Sequence, residues 1–129
     1  KTNEIIEKTA SDDETKIRLH EGTSKFKKIC VTNSIRQTAL LMLEKTGQLS
    51  FMEHVISNED VCNPKPDPEG YLKAIQYLQL QPNECMIVED APKGIEAAKK
   101  SNAHVYEVKG YHDVTLENVL NVINHFNMN

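Results

Sequence analysis

Residues 85–100 read CMIVEDAPKGIEAAKK: apolar residues run without alternation from Cys85 to Val88, two adjacent acids follow at Glu89 and Asp90, and a helical pattern opens behind them. An unbroken apolar run of this length describes a strand buried on both faces. Negative charges at the end of such a strand are costly unless they are paired or bound to a metal. The acidic pair is therefore the first candidate site.

Working outward, KICVTN (28–33) predicts a second doubly buried strand, and SIRQTALLMLEKTGQ (34–48) a helix. Ser34 and Gln37 suit a capping box there, Gly47 suits the far end, and Ile35, Ala39, Met42 and Leu43 form the apolar stripe. FMEHVIS (51–57) predicts a weaker strand. In NPKPDPEGYLKAIQYLQL (63–80), Asp67 is the expected cap, Pro68 a first-turn proline, and Tyr71, Ala74, Ile75 and Leu78 the buried face. APKGIEAAKKSNA (91–103) predicts a short helix stopped at Asn102, and HVYEVK (104–109) a strand. Thr115 then opens an amphipathic helix with Leu116, Val119, Leu120, Ile123 and Phe126 on one side.

Strands that alternate with helices of about ten residues predict an α/β fold with a doubly wound, parallel, Rossmann-like sheet. Ligands of such sheets gather outside the carboxyl ends of the strands. Thr32, Asn33, Glu89 and Asp90 all fall at that edge.

The bulk numbers set limits. The chain has 129 residues, 39% hydrophobic and 26% charged, with a net charge of -4. One domain is expected, burying roughly two-thirds of its unfolded surface. Basic residues cluster no further than Lys27-Lys28 and Lys99-Lys100, so nothing points to nucleic acid. No apolar run approaches the roughly 20 residues of a membrane span, and KTNEIIEKTA (1–10) lacks the apolar core of a secretory signal, so a cytoplasmic protein is expected. Cys30, Cys62 and Cys85 are expected as reduced thiols. The five histidines, His20, His54, His104, His112 and His125, show no ligand spacing.

Three segments occur in one order: a strand ending in VTNS (31–34), then NPKPDPEGYLKA (63–74), then a strand ending in VEDAPKGIEAA (88–98). That order resembles the haloacid dehalogenase superfamily, the aspartate-based phosphohydrolases, and especially its phosphoglycolate phosphatase and beta-phosphoglucomutase branch. The resemblance covers about residues 28 to 110 and implies a function: a Mg2+-dependent phosphatase acting on small phosphorylated metabolites. It assigns the phosphoryl group to the Thr32 hydroxyl and to the backbone amides of Asn33 and Ser34 at a helix start. Lys65 would set its cation between phosphoryl group and nucleophile, and Glu89 and Asp90 would hold Mg2+. Gly94 would let the backbone lie close to the metal site, with plain helix packing as an equal reason for it, and Arg36 would either reach a second anionic group of the substrate or face solvent.

The resemblance also implies a segment that this sequence lacks. The family carries DxDxT at the end of a central strand, and no DxDxT occurs here. SDDETKIRL (11–19) has acids but no apolar strand before them, and is expected to form a solvated turn; TKIRLH (15–20) alternates like a half-exposed strand. Residues 1–14, with the helical scrap TNEIIEKTA (2–10), are expected as the remnant of a helical cap, and 15–129 as an incomplete core with a gap between KICVT and CMIVED. The chain alone is expected to be inactive, as the later part of a longer phosphatase, with self-association or a strand supplied by another chain as a further possibility. Between IRLHEG (17–22) and the next strand only TSKF remains, which predicts a shortened or lost crossover.

Two other readings compete. A catalytically dead relative kept for binding or scaffolding retains the anion site without turnover, and a phosphomutase of the same branch shares every motif. A signalling receiver domain also uses Thr, Lys-Pro and an acidic pair, but there the acidic pair precedes the Lys-Pro, and here the order is reversed.

Overall fold

The computed structural model describes residues 13–128. Five helices and four short strands alternate: α1 (Asp13–Gly22), β1 (Ile29–Val31), α2 (Arg36–Lys45), β2 (His54–Ile56), α3 (Glu69–Leu78), β3 (Met86–Glu89), α4 (Pro92–Lys100), β4 (His104–Glu107) and α5 (Leu116–His125). β1 pairs in parallel with β2, with Cys30 opposite Val55, and β3 pairs in parallel with β4, with Ile87 opposite Val105. The two pairs are not hydrogen-bonded to each other, and no strand lies between them among the described residues. The expected gap between KICVT and CMIVED stands at this place.

Both pairs nevertheless belong to one layered arrangement. Ile29 and Val31 of β1 share a cluster with Ile87 of β3, Tyr71 and Ala74 of α3, and Ala97 and Ala98 of α4. The alternate strand residues face the other way: Cys30 packs with Ala39 and Leu43 of α2, and Met86 and Val88 with Leu19 of α1 and Val119 and Ile123 of α5. Successive side chains of a strand point to opposite faces, so helices cover the sheet layer on both sides. The architecture is the doubly wound α/β class.

Local signals explain the element ends. Gly47 holds φ +73° just beyond α2, and the Gln48 amide returns to the Leu43 carbonyl at 2.8 Å, which satisfies that helix end. Thr115 caps α5 through the Asn118 amide. The Asp67 carboxylate accepts the Glu69 amide at 2.9 Å at the start of α3.

Several expectations need correction. Ser34 does not cap α2, whose N-cap is Ile35 without a side-chain bond, and Ile35 is 48% exposed while Met42 is half-buried. The stripe therefore narrows to Ala39 and Leu43. Leu120, expected on the inner face of α5, is exposed. The larger correction concerns residues 13–22, which form helix α1 rather than a solvated turn or a half-exposed strand. Its inward face is Lys16, Leu19, His20 and Thr23, at helical spacing but mostly polar, so the apolar pattern conceals it. α1 itself leads into β1, so a full helix stands directly before that strand. Gly22 lies against Leu116, where an added Cβ would come within 2.4 Å of the leucine side chain, and this close approach joins α1 to α5. The expected boundary after residue 14 lies within α1, and residues 1–12 lie outside the described part. No described helix is long and apolar enough to cross a membrane.

Candidate functional site

The carboxyl ends of β1 and β3 carry the residues singled out in the sequence. Thr32 follows β1, is 6% exposed, and continues the β1–β2 pairing by donating its amide to the Ile56 carbonyl at 2.9 Å. Its hydroxyl oxygen accepts the Ser34 amide at 3.0 Å. That amide is thus engaged by Thr32, where the sequence reading assigned it to an anion. Asn33 is exposed, and its side-chain oxygen accepts the Lys65 amide at 3.3 Å, which ties the lysine loop to the end of β1.

The Lys65 ammonium donates to the Val31 carbonyl of β1 and to Glu89 Oε2 of β3, both at 2.9 Å. One cation therefore spans the two strand pairs. Glu89 is 6% exposed, and each of its oxygens has two donors: Oε2 takes Lys65 and the Tyr71 hydroxyl at 2.7 Å, Oε1 takes the amides of Asp90 at 3.0 Å and Ala91 at 3.2 Å. Burial alone would raise its pKa, but the Lys65 charge and these hydrogen bonds outweigh it and hold the carboxyl below its ordinary value. Gly94 lies directly behind, and a Cβ there would come within 2.1 Å of the Glu89 carboxyl. The expected reason for this glycine, a close approach of backbone to the site, takes the form of room for the Glu89 side chain.

The lysine loop has a second anchor that the sequence reading missed. The Glu69 carboxylate accepts the amides of Cys62 at 2.9 Å and Asn63 at 3.0 Å, and Lys73 reaches it at 3.4 Å. The amide of Cys62 first, then those of Asn63, lower its pKa. The legible sign was an acid at the first position of a helix, usually taken as a dipole partner.

Arg36 is placed elsewhere. Its guanidinium pairs with Asp60 and donates to the Val55 carbonyl at 3.4 Å, and Asp60 in turn takes the Ser57 amide and hydroxyl. Arg36 thus braces the end of β2 in this arrangement.

Asp90 is half-buried beside Glu89. Hard carboxylate oxygens at this edge suit a divalent cation. Among the described residues no group of three His, Cys, Asp or Glu side chains that could hold a metal ion assembles.

The layer is parallel α/β, with a hydroxyl, a lysine and an acidic pair at its carboxyl edge. The chain belongs to the haloacid dehalogenase-like hydrolase family, whose profile matches residues 4–108. It is 37% identical over 83 residues to validoxylamine A 7'-phosphate phosphatase of Streptomyces hygroscopicus subsp. limoneus, a match covering 64% of this chain and 39% of that protein. It is 35% identical over 81 residues to hexitol phosphatase A of Escherichia coli, covering 63% of this chain and 38% of the relative. The beta-phosphoglucomutase of Clostridium difficile shares the fold, with a TM-score of 0.71, 20% identity, and 88% of this chain against 56% of that one. The chain spans about two-fifths of the curated relatives it matches.

Proposed function

We propose that this chain forms the lysine and acidic-pair side of a Mg2+-dependent phosphohydrolase that acts on small phosphorylated metabolites. The observation that carries the reading is the Lys65 ammonium, held at 2.9 Å from both the Val31 carbonyl and Glu89 at the carboxyl ends of β1 and β3. A cation held at the Val31 carbonyl, one residue before the buried Thr32, is suited to an anion with several oxygens. The relatives are phosphatases of small phosphorylated compounds, which supports the substrate class.

Asp90, with Glu89 beside it, would hold the magnesium ion, which supplies charge neutralisation for a phosphoryl group. Glu89 already has two donors on each oxygen, so in this arrangement its work is to orient Lys65, and Asp90 is the carboxylate that would meet the cation. Thr32 would donate its hydroxyl proton to a phosphoryl oxygen while its own oxygen keeps the Ser34 amide. The nucleophile of the family's DxDxT segment is not among these residues. Full catalysis by the 129-residue chain is therefore not expected.

A binding role without turnover is the second reading, favoured by the same lack of DxDxT in the sequence. One experiment tests the site that both readings share. Amide resonances of the chain are followed during titration with inorganic phosphate and with MgCl2, and p-nitrophenyl phosphate turnover is assayed in parallel. The expected result is saturable shifts at Thr32, Asn33 and Ser34 that vanish in Lys65→Met, with turnover at background. No phosphate shifts at those residues would sink the site. Turnover lost in Lys65→Met would show that the chain supplies its own nucleophile.

A further inference from the structure

We propose that Tyr71 is a positioning residue for Lys65, acting through Glu89; this rests on the phosphate-site reading above and deepens it. Tyr71 sits in the first turns of α3, only 2% exposed, among the apolar residues that join the two strand pairs. Its hydroxyl is not left in that apolar cluster. It donates to Glu89 Oε2 at 2.7 Å, the same oxygen that accepts Lys65 at 2.9 Å, and the Lys65 ammonium stands 5.1 Å from the centre of the Tyr71 ring.

The rest of the carboxylate is fixed. The amides of Asp90 and Ala91 hold Oε1, and Gly94 backs the group so closely that even a methyl would collide with it. Glu89 therefore has no room to shift, and what can change is how its charge is shared between two donors on Oε2. A hydroxyl bonded to a carboxylate withdraws part of that charge. With the phenol in place, Lys65 meets a partly neutralised partner, and an anion competes for its N–H donors on better terms. Without it, the full carboxylate charge falls on Lys65 in a poorly hydrated corner, the ion pair tightens, and phosphate must compete harder for the same cation.

Packing alone would also explain a buried tyrosine, and Tyr71→Phe separates the two. Phenylalanine keeps the ring, its core contacts and its place beneath the ammonium, and removes only the hydroxyl. The exposed Tyr77 supplies the control as Tyr77→Phe. Inorganic phosphate is titrated into the chain and both variants, with the dissociation constant taken from the Thr32–Ser34 amides, and the Lys65 ammonium resonance is recorded without ligand. Tyr71→Phe is expected to weaken phosphate binding about fivefold, the size of one hydrogen bond, and to shift the Lys65 resonance, while Tyr77→Phe does neither. A lowered unfolding midpoint with unchanged phosphate affinity and an unmoved Lys65 resonance would overturn the proposal and leave Tyr71 as core packing. Should the unaltered chain bind no phosphate, the site reading fails, and the Lys65 resonance alone decides whether Tyr71 acts on the lysine.

Discussion

Two buried polar clusters stand on opposite sides of this molecule, and they solve the cost of burial differently. At the carboxyl edge, Glu89 keeps a full charge because Lys65, Tyr71 and two amides surround it. Between α1 and the end of α2, His20 is 1% exposed and is neutral. Its Nε2 donates to the Gln48 side-chain oxygen at 2.8 Å, Gln48 donates to the Thr46 hydroxyl at 2.9 Å, and that hydroxyl donates to the Met42 carbonyl at 2.8 Å. The relay runs one way, which fixes the tautomer and leaves His20 Nδ1 buried with no hydrogen-bond partner among the described residues. A charge was retained where all its lone pairs are met, and excluded where one ring nitrogen is not.

The largest effect expected from this contrast is at Glu89. Glu89→Gln keeps the shape and takes the buried carboxylate charge away from the Lys65 ammonium, which costs roughly 3–5 kcal/mol in urea unfolding. Adding Lys65→Met to it should recover much of that loss, because the unpaired charge goes too. A single-variant cost under about 1 kcal/mol would place the pair with ordinary surface bridges.

Gly94→Ala comes next. The new methyl meets the Glu89 carboxyl, and neither the helix backbone nor a carboxylate with four donors yields readily. A loss of roughly 1–3 kcal/mol is expected, typical of overpacking, together with weaker phosphate binding. Stability lost without any change in phosphate affinity would show that Glu89 can move without disturbing Lys65.

The pH dependence separates the clusters. Burial first, with the nearby Lys28 charge adding to it against the Gln48 bond, lowers the His20 pKa below 6.5. The unfolded chain then binds the proton more readily, so stability falls as pH drops from 6.5 toward the folded value, by up to about 1.4 kcal/mol per pH unit. The lowered Glu89 carboxyl contributes stability above its ordinary value of 4.5, lost only as pH falls below that. Two separate acid limbs are expected in denaturation midpoints, the upper one flattened by His20→Leu. An upper limb unchanged in that variant would assign it to another group.

Much of this was legible in the order of segments. Alternating apolar runs and amphipathic stretches marked eight of the elements, because short parallel strands buried on both faces and one-sided helices leave strong patterns. Thr32, Lys65 and the acidic pair were legible as a conjunction. What escaped was the use of polar groups inward. α1 was concealed because its buried face holds Lys16, His20 and Thr23, and Tyr71 passed as an apolar residue because its ring fits the helix stripe while its hydroxyl does separate work. Ser34 misled in the other direction: a good capping residue, it stands one position before Ile35, which holds the N-cap place of α2.

The smallest expected effect tests what makes the Lys65–Glu89 pair matter. Arg18 of α1 and Glu117 of α5 form a shorter bridge, 2.6 Å against 2.9 Å, but both side chains are 60% exposed, whereas those of Lys65 and Glu89 are 10% and 7% exposed. If separation governed, the outer pair would be the stronger. Water screens both of its charges, and two long side chains must be ordered to form it. Glu117→Gln should therefore leave the unfolding midpoint unchanged within error at moderate salt. A loss matching that of Glu89→Gln would mean that distance, and not burial, sets the strength of ion pairs in this fold.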